Sequence, residues 1–564
     1  MKYNVLNKAL NKAKISGDNT NLADIMACSS LCDFIKNEEL LKNRLSDSLK
    51  EDLIFLVKNY EQFSDLRDDV QEIVETYDPR NTDLFYRHLK EEAFISKDDD
   101  SEDVDILEIV SSRMLSSKDS YDFFSKKKIS ALISSWLTED KSGLTCFCPF
   151  NSMLDIEDEL SLRDSINITG FIPNNVIAKR IYLCCKGNKV GSCLLLSPER
   201  INEVAGSYDV GFSFPPLLMR LKGTADTLEI KLIEDMLKRI SGKFCVITFS
   251  GLTNSGAKGY PDFRKKLLNS GKLFAVAELP GGFVPYSGVT CTALFFDCNQ
   301  KENSHISFVD ISRSECKDTK NSGRTQFEFN DYAVESLKKC LSNGKSELIE
   351  KISIDDISKN DFILTPSRYV LPKEVREARN KILEGDTKLS DVVEFYRTLT
   401  TKSEDQGEPY FEVSASDINS MGVIETPSKQ ILQTEDNVAK RNLLKKGDII
   451  FAIKGSVGKV GLVAEEHSNW LLNQSFVILR VKNKNWPVEY VFRQLKSSAM
   501  KYYIQSMTIG SVIPSLAMSD LKNIPLVSPE KEKVEDQRIK HERQLEITLQ
   551  LKQLQTELEQ LNDF

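Results

Sequence analysis

The stretch Tyr208-Asp209-Val210-Gly211-Phe212-Ser213-Phe214-Pro215-Pro216-Leu217 is a short apolar run that ends on two prolines. Proline has no amide hydrogen to give to a neighbouring strand, so a paired run that meets a proline pair ends there and opens into a loop. Outward from it lie further short apolar runs, Ile181–Cys185, Cys193–Leu196, Phe244–Phe249, Phe274–Leu279 and Thr292–Phe296. Their length and composition predict buried strands, while Leu228–Ile240 and Phe263–Leu268 between them carry helical spacing. Strands alternating with helices predict an α/β domain with a doubly wound parallel sheet covered on both faces. A ligand of such a sheet sits beyond the carboxyl ends of the strands, which is where Phe214–Leu217 stand.

The chain has 564 residues, enough for three or four domains, and its 40% hydrophobic and 28% charged residues match an ordinary folded protein. No apolar run approaches the roughly 20 residues of a membrane helix, and Met1–Leu10 lacks a basic-then-apolar leader pattern. A cytoplasmic location with no membrane partner is expected. The 12 cysteines include no C-x-x-C pair, and Cys146/Cys148 and Cys184/Cys185 are too close for ordinary disulfides or a zinc site. They read as buried small hydrophobes. With only His88, His305, His467 and His541, no metal site is expected.

Charge is distributed unevenly around a net of −9. Residues 1–120 hold 16 Lys+Arg against 26 Asp+Glu, and Leu53, Leu56, Val57, Tyr60 and Phe63 recur at helical spacing, which predicts an acidic helical domain over 1–110. Its acidic run Lys97-Asp98-Asp99-Asp100-Ser101-Glu102-Asp103 reads as a solvated loop. Residues 437–527 hold 13 Lys+Arg against 5 Asp+Glu, a net of +8 that points to a polyanion-binding face. Lys440, Arg441, Lys445, Lys446, Lys454, Lys459, Lys482 and Lys484 are candidates for phosphate neutralisation. Asn473 and Gln474 can pair with an adenine edge and Arg480 can reach guanine, although any of these side chains can equally be solvated surface. Gly455-Ser456-Val457-Gly458-Lys459 lacks the spacing of a nucleotide-binding P-loop. Over 530–561 a single long helix is predicted, with Ile547, Leu551, Leu554, Leu558 and Leu561 forming a short heptad seam.

With Gly242-Lys243-Phe244-Cys245-Val246-Ile247, Phe263-Arg264-Lys265-Lys266-Leu267-Leu268, Ala275-Val276-Ala277-Glu278-Leu279-Pro280-Gly281-Gly282-Phe283 and Gly288–Phe296, the opening stretch resembles the modification subunit of type I restriction systems. The resemblance spans 111–370 and implies a Rossmann-like adenine-N6 DNA methyltransferase fold that uses S-adenosylmethionine. Tyr121-Asp122-Phe123-Phe124-Ser125-Lys126-Lys127 stands where that family has its entry motif. After a linker at 371–387, Lys388–Glu394, Lys446–Val463, Asn473-Gln474, Pro514-Ser515-Leu516 and Asn523-Ile524-Pro525-Leu526 resemble a target-recognition domain of the specificity subunit, over 388–528. An α+β recognition domain is implied, followed by a coiled-coil-type helix at 529–564.

Active relatives hold the flipped adenine with asparagine or aspartate, two prolines and an aromatic residue. The aligned residues here are Phe214, Pro215, Pro216 and Leu217, so the hydrogen-bond acceptor and the stacking face are both replaced. Moving the alignment by one brings Ser213 to the polar position, with a hydroxyl in place of a carboxamide. At the cofactor turn the family has aspartate-proline and spaced glycines, whereas this chain has Cys148-Pro149-Phe150-Asn151-Ser152-Met153-Leu154. Cys148, Pro149, Asn151 and Ser152 therefore mark a degenerate site, and no cofactor is expected. The reading is a sequence-specific double-stranded DNA-recognition subunit of a bacterial restriction-like or anti-phage system, with effector subunits (a nuclease or translocase) as partners. The acidic residues 1–110 are the expected docking surface for such an effector. Two alternatives stand beside it: an active S-adenosylmethionine-dependent adenine-N6 methyltransferase, and a DNA-mimicking inhibitor, against which the local +8 argues. Because the chain has one recognition domain, a homodimer through the 530–561 helix would supply a second; that helix packing on its own methylase-like domain is the other possibility.

Overall fold

The computed structural model describes residues 3–15, 22–38, 46–67, 79–95, Ile106, and, with short interruptions, 126–530, together with Glu535, Ile539, Arg543, Ile547, Gln550 and Leu554. It divides into two compact units, Met1–Val370 and Leu371–Phe564.

In the first unit the helices Tyr3–Ile15, Leu22–Asn37, Leu49–Asn59 and Pro79–Ile95 form an amino-terminal layer. Leu53, Leu56, Val57 and Phe63 are buried there, as their spacing predicts. Buried Asp52 accepts hydrogen bonds from Tyr86 Oη at 2.9 Å and Lys90 Nζ at 3.1 Å, which compensates its removal from water. Leu22–Asn37 packs on the helix Pro173–Cys185, so this layer shares one core with the sheet that follows. The acidic run 97–103 and residues 121–125 lie outside the described residues.

The sheet has nine strands: β1 Thr145–Pro149, β2 Ser165–Gly170, β3 Val190–Leu195, β4 Val210–Ser213, β5 Lys243–Phe249, β6 Leu273–Glu278, β7 Cys291–Asp297, β8 His305–Asp310 and, after a small β9–β10 hairpin (Lys317–Thr319 and Phe327–Phe329), β11 Ile349–Ser353. Their order is β3-β2-β1-β4-β5-β7-β6-β8-β11. Neighbours are parallel except β7, which runs against β5 and β6, and β11, which runs against β8. The connection 279–290 into β7 holds no helix among its described residues, and without a crossover the strand returns antiparallel. Cys146 and Cys148 of β1 join one face's core and Phe147 the other. The order reverses between β1 and β4, a topological switch point.

Ile181–Cys185, expected as a strand, is instead the last part of the helix Pro173–Cys185. That helix lies between β2, β3 and Leu22–Asn37, and Ile181, Tyr182, Leu183 and Cys184 are all buried. A helix buried on most sides loses its polar stripe, so a short window of it looks like a buried strand.

The second unit is α+β. β13 (Val393–Arg397), β19 (Phe476–Val481), β16 (Ile449–Ala452) and β17 (Val460–Leu462) form one antiparallel sheet; β15 (Gln430–Gln433), β14 (Glu408–Val413) and β18 (Trp470–Leu472) form another. Residues 371–387, expected as a linker, contain the helix Lys373–Leu383, which packs on the helix Ser498–Met507. Entry and exit of the domain are clasped: β12 (Thr387–Lys388) pairs with β20 (Pro525–Leu526), and Ser528 donates to Asp386 Oδ1 through its amide at 3.0 Å and its hydroxyl at 2.9 Å. Of the predicted carboxyl-terminal seam, Ile547 and Leu554 are helical and exposed, while Leu551, Leu558 and Leu561 lie outside the described residues. Among the described residues no helix is long and apolar enough to cross a membrane. Nine of the eleven described cysteines are buried.

Candidate cofactor and nucleic-acid sites

At the switch point β1 ends on Cys148-Pro149 and the chain turns through Phe150 at φ 49°. That left-handed conformation is one glycine adopts freely and a phenylalanine holds at a cost of about 1 kcal/mol. The turn is tied to its surroundings by its own backbone. Phe150 N donates to Thr169 O at 2.7 Å and Ser152 N to Phe214 O at 2.8 Å, while Ser213 Oγ donates to Pro149 O at 2.6 Å. Asn151 closes on its own loop, accepting from Met153 N at 2.9 Å and donating to Met153 O at 2.8 Å. From below, buried Lys179 donates to Asn151 O and lies 3.5 Å from buried Glu157.

These residues do not fit a nucleoside-and-methionine ligand such as S-adenosylmethionine. The turn is filled by buried side chains, the Phe150 and Ser152 amides are engaged inside the protein, and among the described residues the end of β2, Thr169-Gly170, carries no carboxylate for ribose hydroxyls. Gly170 is set by packing: a Cβ there would come 2.4 Å from Val176 Cγ2.

Phe214 follows β4 directly and is 3% exposed, its ring centroid 5.8 Å from that of Phe283, which lies 6.2 Å from Phe329. Pro215 is buried, Pro216 and Leu217 are half-buried, and Leu217 packs against the core. Phe214, the expected base-holding position, is thus part of an aromatic cluster. Ser213 contributes no free hydroxyl, since it is buried and bonded to Pro149.

A second polar group at this edge was not legible in the sequence. Glu278, at the end of β6, accepts from Ser367 N at 2.8 Å; nearby Asp310, ending β8, is held by Arg313 Nε at 2.9 Å and Ser312 Oγ at 2.6 Å. Burial, and then the charge of Asp310, push the Glu278 carboxyl from 4.5 up to about 7. The folded state therefore keeps a proton that the unfolded chain has lost, so this contribution is complete below about pH 4.5 and disappears as pH rises to about 7. Glu278→Gln is expected to remove that slope and to raise stability above pH 7 by ~1–2 kcal/mol, discounted because the carboxyl is half-buried. Urea unfolding at pH 5 and pH 8 checks it.

In the second unit the predicted contact residues fall at the two ends of β16. Beyond its carboxyl end stand Lys454 and Lys459, with the Asn473-Gln474 loop alongside through Ile453 N to Ser475 O at 2.8 Å. Arg441 belongs to this end, its Nε donating to Arg397 O at 3.0 Å, and Lys440 precedes it, exposed. Lys459 Nζ donates to Ala415 O, Asn473 Oδ1 accepts from Ser475 N at 2.9 Å, and exposed Gln474 accepts from Thr400 Oγ1 at 2.6 Å. At the amino end the turn Lys445-Lys446-Gly447-Asp448 presents two exposed lysines. Gly447 sits at φ 84°, Asp448 N donates to Lys445 O at 3.0 Å, and Lys445 N donates back to Asp448 Oδ2 at 2.8 Å. Lys482 and Lys484 are exposed just past β19, Lys482 Nζ reaching Ser390 O at 2.8 Å.

Arg480, the candidate guanine contact, is held by an ion pair. Its Nε and Nη2 donate to the two oxygens of buried Asp448 at 2.7 and 2.9 Å, and its guanidinium lies 4.6 Å from the Tyr396 ring centroid. It clamps the lysine turn.

Residues 385–562 match the family model described as type I restriction modification DNA specificity domain, and residues 210–378 match that described as N-6 DNA methylase. One chain thus carries a match to each model, in separate regions. The matched methylase region begins at β4, and the turn 148–154 precedes it. Among solved structures, the methyltransferase subunit of a type I restriction-modification system from Streptococcus thermophilus is 12% identical, with 64% of this chain and 98% of that chain covered at a TM-score of 0.48. A chain from another type I system is 14% identical (68% and 96% covered, TM-score 0.47), and the type IIG restriction endonuclease BpuSI 10% identical (96% and 74%, 0.44). No curated protein matches in sequence. The sheet of the first unit is mixed, with the antiparallel β7 between β5 and β6.

Proposed function

We propose that this chain is a sequence-specific reader of double-stranded DNA in a bacterial restriction-like or anti-phage system, whose methylase region is a scaffold and not a catalyst. The observation that carries the reading is Phe214: transfer to an adenine amine needs an acceptor for the amine hydrogens, and this side chain is an apolar ring embedded in the core. The specificity domain supplies the DNA half, with its exposed lysines at both ends of β16 suited to phosphates and the Asn473-Gln474 loop to a base edge. Effector subunits, a nuclease or translocase, would act where this chain binds, docking on the acidic amino-terminal helices. A homodimer through the 530–561 helix would give an interrupted, palindromic site.

The test is crosslinked capture of the chain from its host, with sequencing of the attached DNA on a platform that reports N6-methyladenine. One enriched motif with unmethylated adenines is expected; methylated adenines that vanish on deleting the gene would overturn the scaffold reading and revive the active methyltransferase. In vitro, affinity for the enriched duplex should fall with salt at a log–log slope of roughly −4 to −6, about 0.9 per phosphate neutralised. Titration calorimetry with S-adenosylmethionine should show no heat of binding.

A further inference from the structure

Leu218, the residue after the half-buried Leu217, is 50% exposed and sits at φ 62°. Leucine seldom adopts that left-handed conformation, and burial would normally draw such a side chain inward. The loop holds it there. Leu218 N donates at 2.8 Å to Oε1 of Glu229, a carboxyl with 0% exposure, and Leu228 N donates to Met219 O at 2.9 Å. Arg220 bridges to Thr227, and Pro215 and Pro216 stiffen the approach. A strained, braced turn thus presents one branched apolar side chain to solvent at the carboxyl end of β4. Exposed Arg220 and Lys222 follow it closely.

We infer that Leu218 is a wedge that enters between stacked base pairs of the bound duplex, with Arg220 and Lys222 on the adjoining phosphates. This rests on the double-stranded DNA reading above. Apolar side chains of this size part base steps in proteins that kink DNA, and cations beside the tip match the phosphates that flank an opened step. A protein partner would call for a broad apolar patch, whereas among the described residues of this loop a single exposed leucine stands beside two cations. The carboxyl ends of the strands are where a doubly wound sheet meets its ligand. A methylase fold that opens a step without modifying it would add shape selectivity to whatever the specificity domain reads.

The test uses the full-length chain and a duplex that the wild type enriches from a randomised library, probed with permanganate and diethyl pyrocarbonate for unstacked thymines and purines. Wild type is expected to create one reactive step. Leu218→Gly accommodates the positive φ, so its melting temperature should hold or rise while step reactivity falls roughly tenfold. Arg220→Gln should keep the reactive step and reduce the salt slope by about one. Wild type that binds without a reactive step, or Leu218→Gly that opens the step as wild type does, would overturn the wedge and leave DNA recognition standing. Failure of wild type to enrich any duplex would instead overturn the DNA reading, and the wedge with it.

Discussion

A chain carrying Phe214→Asn with Leu217→Phe is expected to lose about 3 kcal/mol of stability and to gain no methyl transfer, although it regains the side chains that active relatives use. Removing the Phe214 ring leaves a cavity beside Phe283 and places an amide among apolar neighbours. Each change alone costs on the order of 1–4 kcal/mol, and the Asn has no partner on Phe283 to offset its desolvation. The restored π-face at 217 meets no acceptor geometry, because Ser152 N still holds the 214 carbonyl and the β1 turn still runs through Phe150. Urea unfolding reads the stability. Mass spectrometry of nucleosides, after incubation with duplex DNA and S-adenosylmethionine, reads the chemistry. N6-methyladenine above the wild-type level would mean that two side chains alone had silenced the site.

Asp448→Ala should have the second largest effect, this time in the specificity domain. It removes the acceptor of two Arg480 bonds and of the Lys445 amide, leaving a guanidinium without its carboxylate next to Tyr396. Breaking a buried pair from one side costs 3–5 kcal/mol; since Arg480 retains some exposure, about 2–3 kcal/mol is expected. The Lys445-Lys446 turn loses its anchor, so DNA affinity should fall roughly tenfold as phosphate contacts lose their fixed register. Arg480→Lys gives the sharper discrimination. Lysine keeps the charge but not the planar fork, so it should weaken binding while the enriched motif stays the same. If Arg480 read a guanine, the motif itself would relax at one position. Selection from a random library with each variant distinguishes the two.

The sequence made legible those features whose cause is local. Phe244–Phe249 and Thr292–Phe296 are apolar but for Thr248 and Thr292, because β5 and β7 are central strands buried on both faces. That Phe214 and Leu217 carry no side-chain hydrogen-bond acceptor needs only their identities to be recognised. What escaped depends on contacts between distant segments. β1 and β2 carry threonine, serine and asparagine among their apolar residues, and their pairing partner supplies the order that composition does not. The antiparallel β7 follows from a connection without a helix, and a strand's direction leaves no trace in its own residues. Arg480 lies 32 positions from Asp448, so the ion pair that holds its guanidinium cannot be read from either segment alone. Leu218 looks like any loop leucine until the sign of its φ and the brace from Glu229 are known.

The clasp formed by β12 and β20 has a consequence for how such a chain diversifies. Because the polypeptide enters at Thr387 and leaves at Leu526 side by side, stitched by Ser528 and Asp386, everything between behaves as a cartridge plugged into one socket. Segments with adjacent ends are those that folds exchange most readily. A single recombination event with breakpoints in the clasp would exchange the whole segment between them while the rest of the chain stayed as it was.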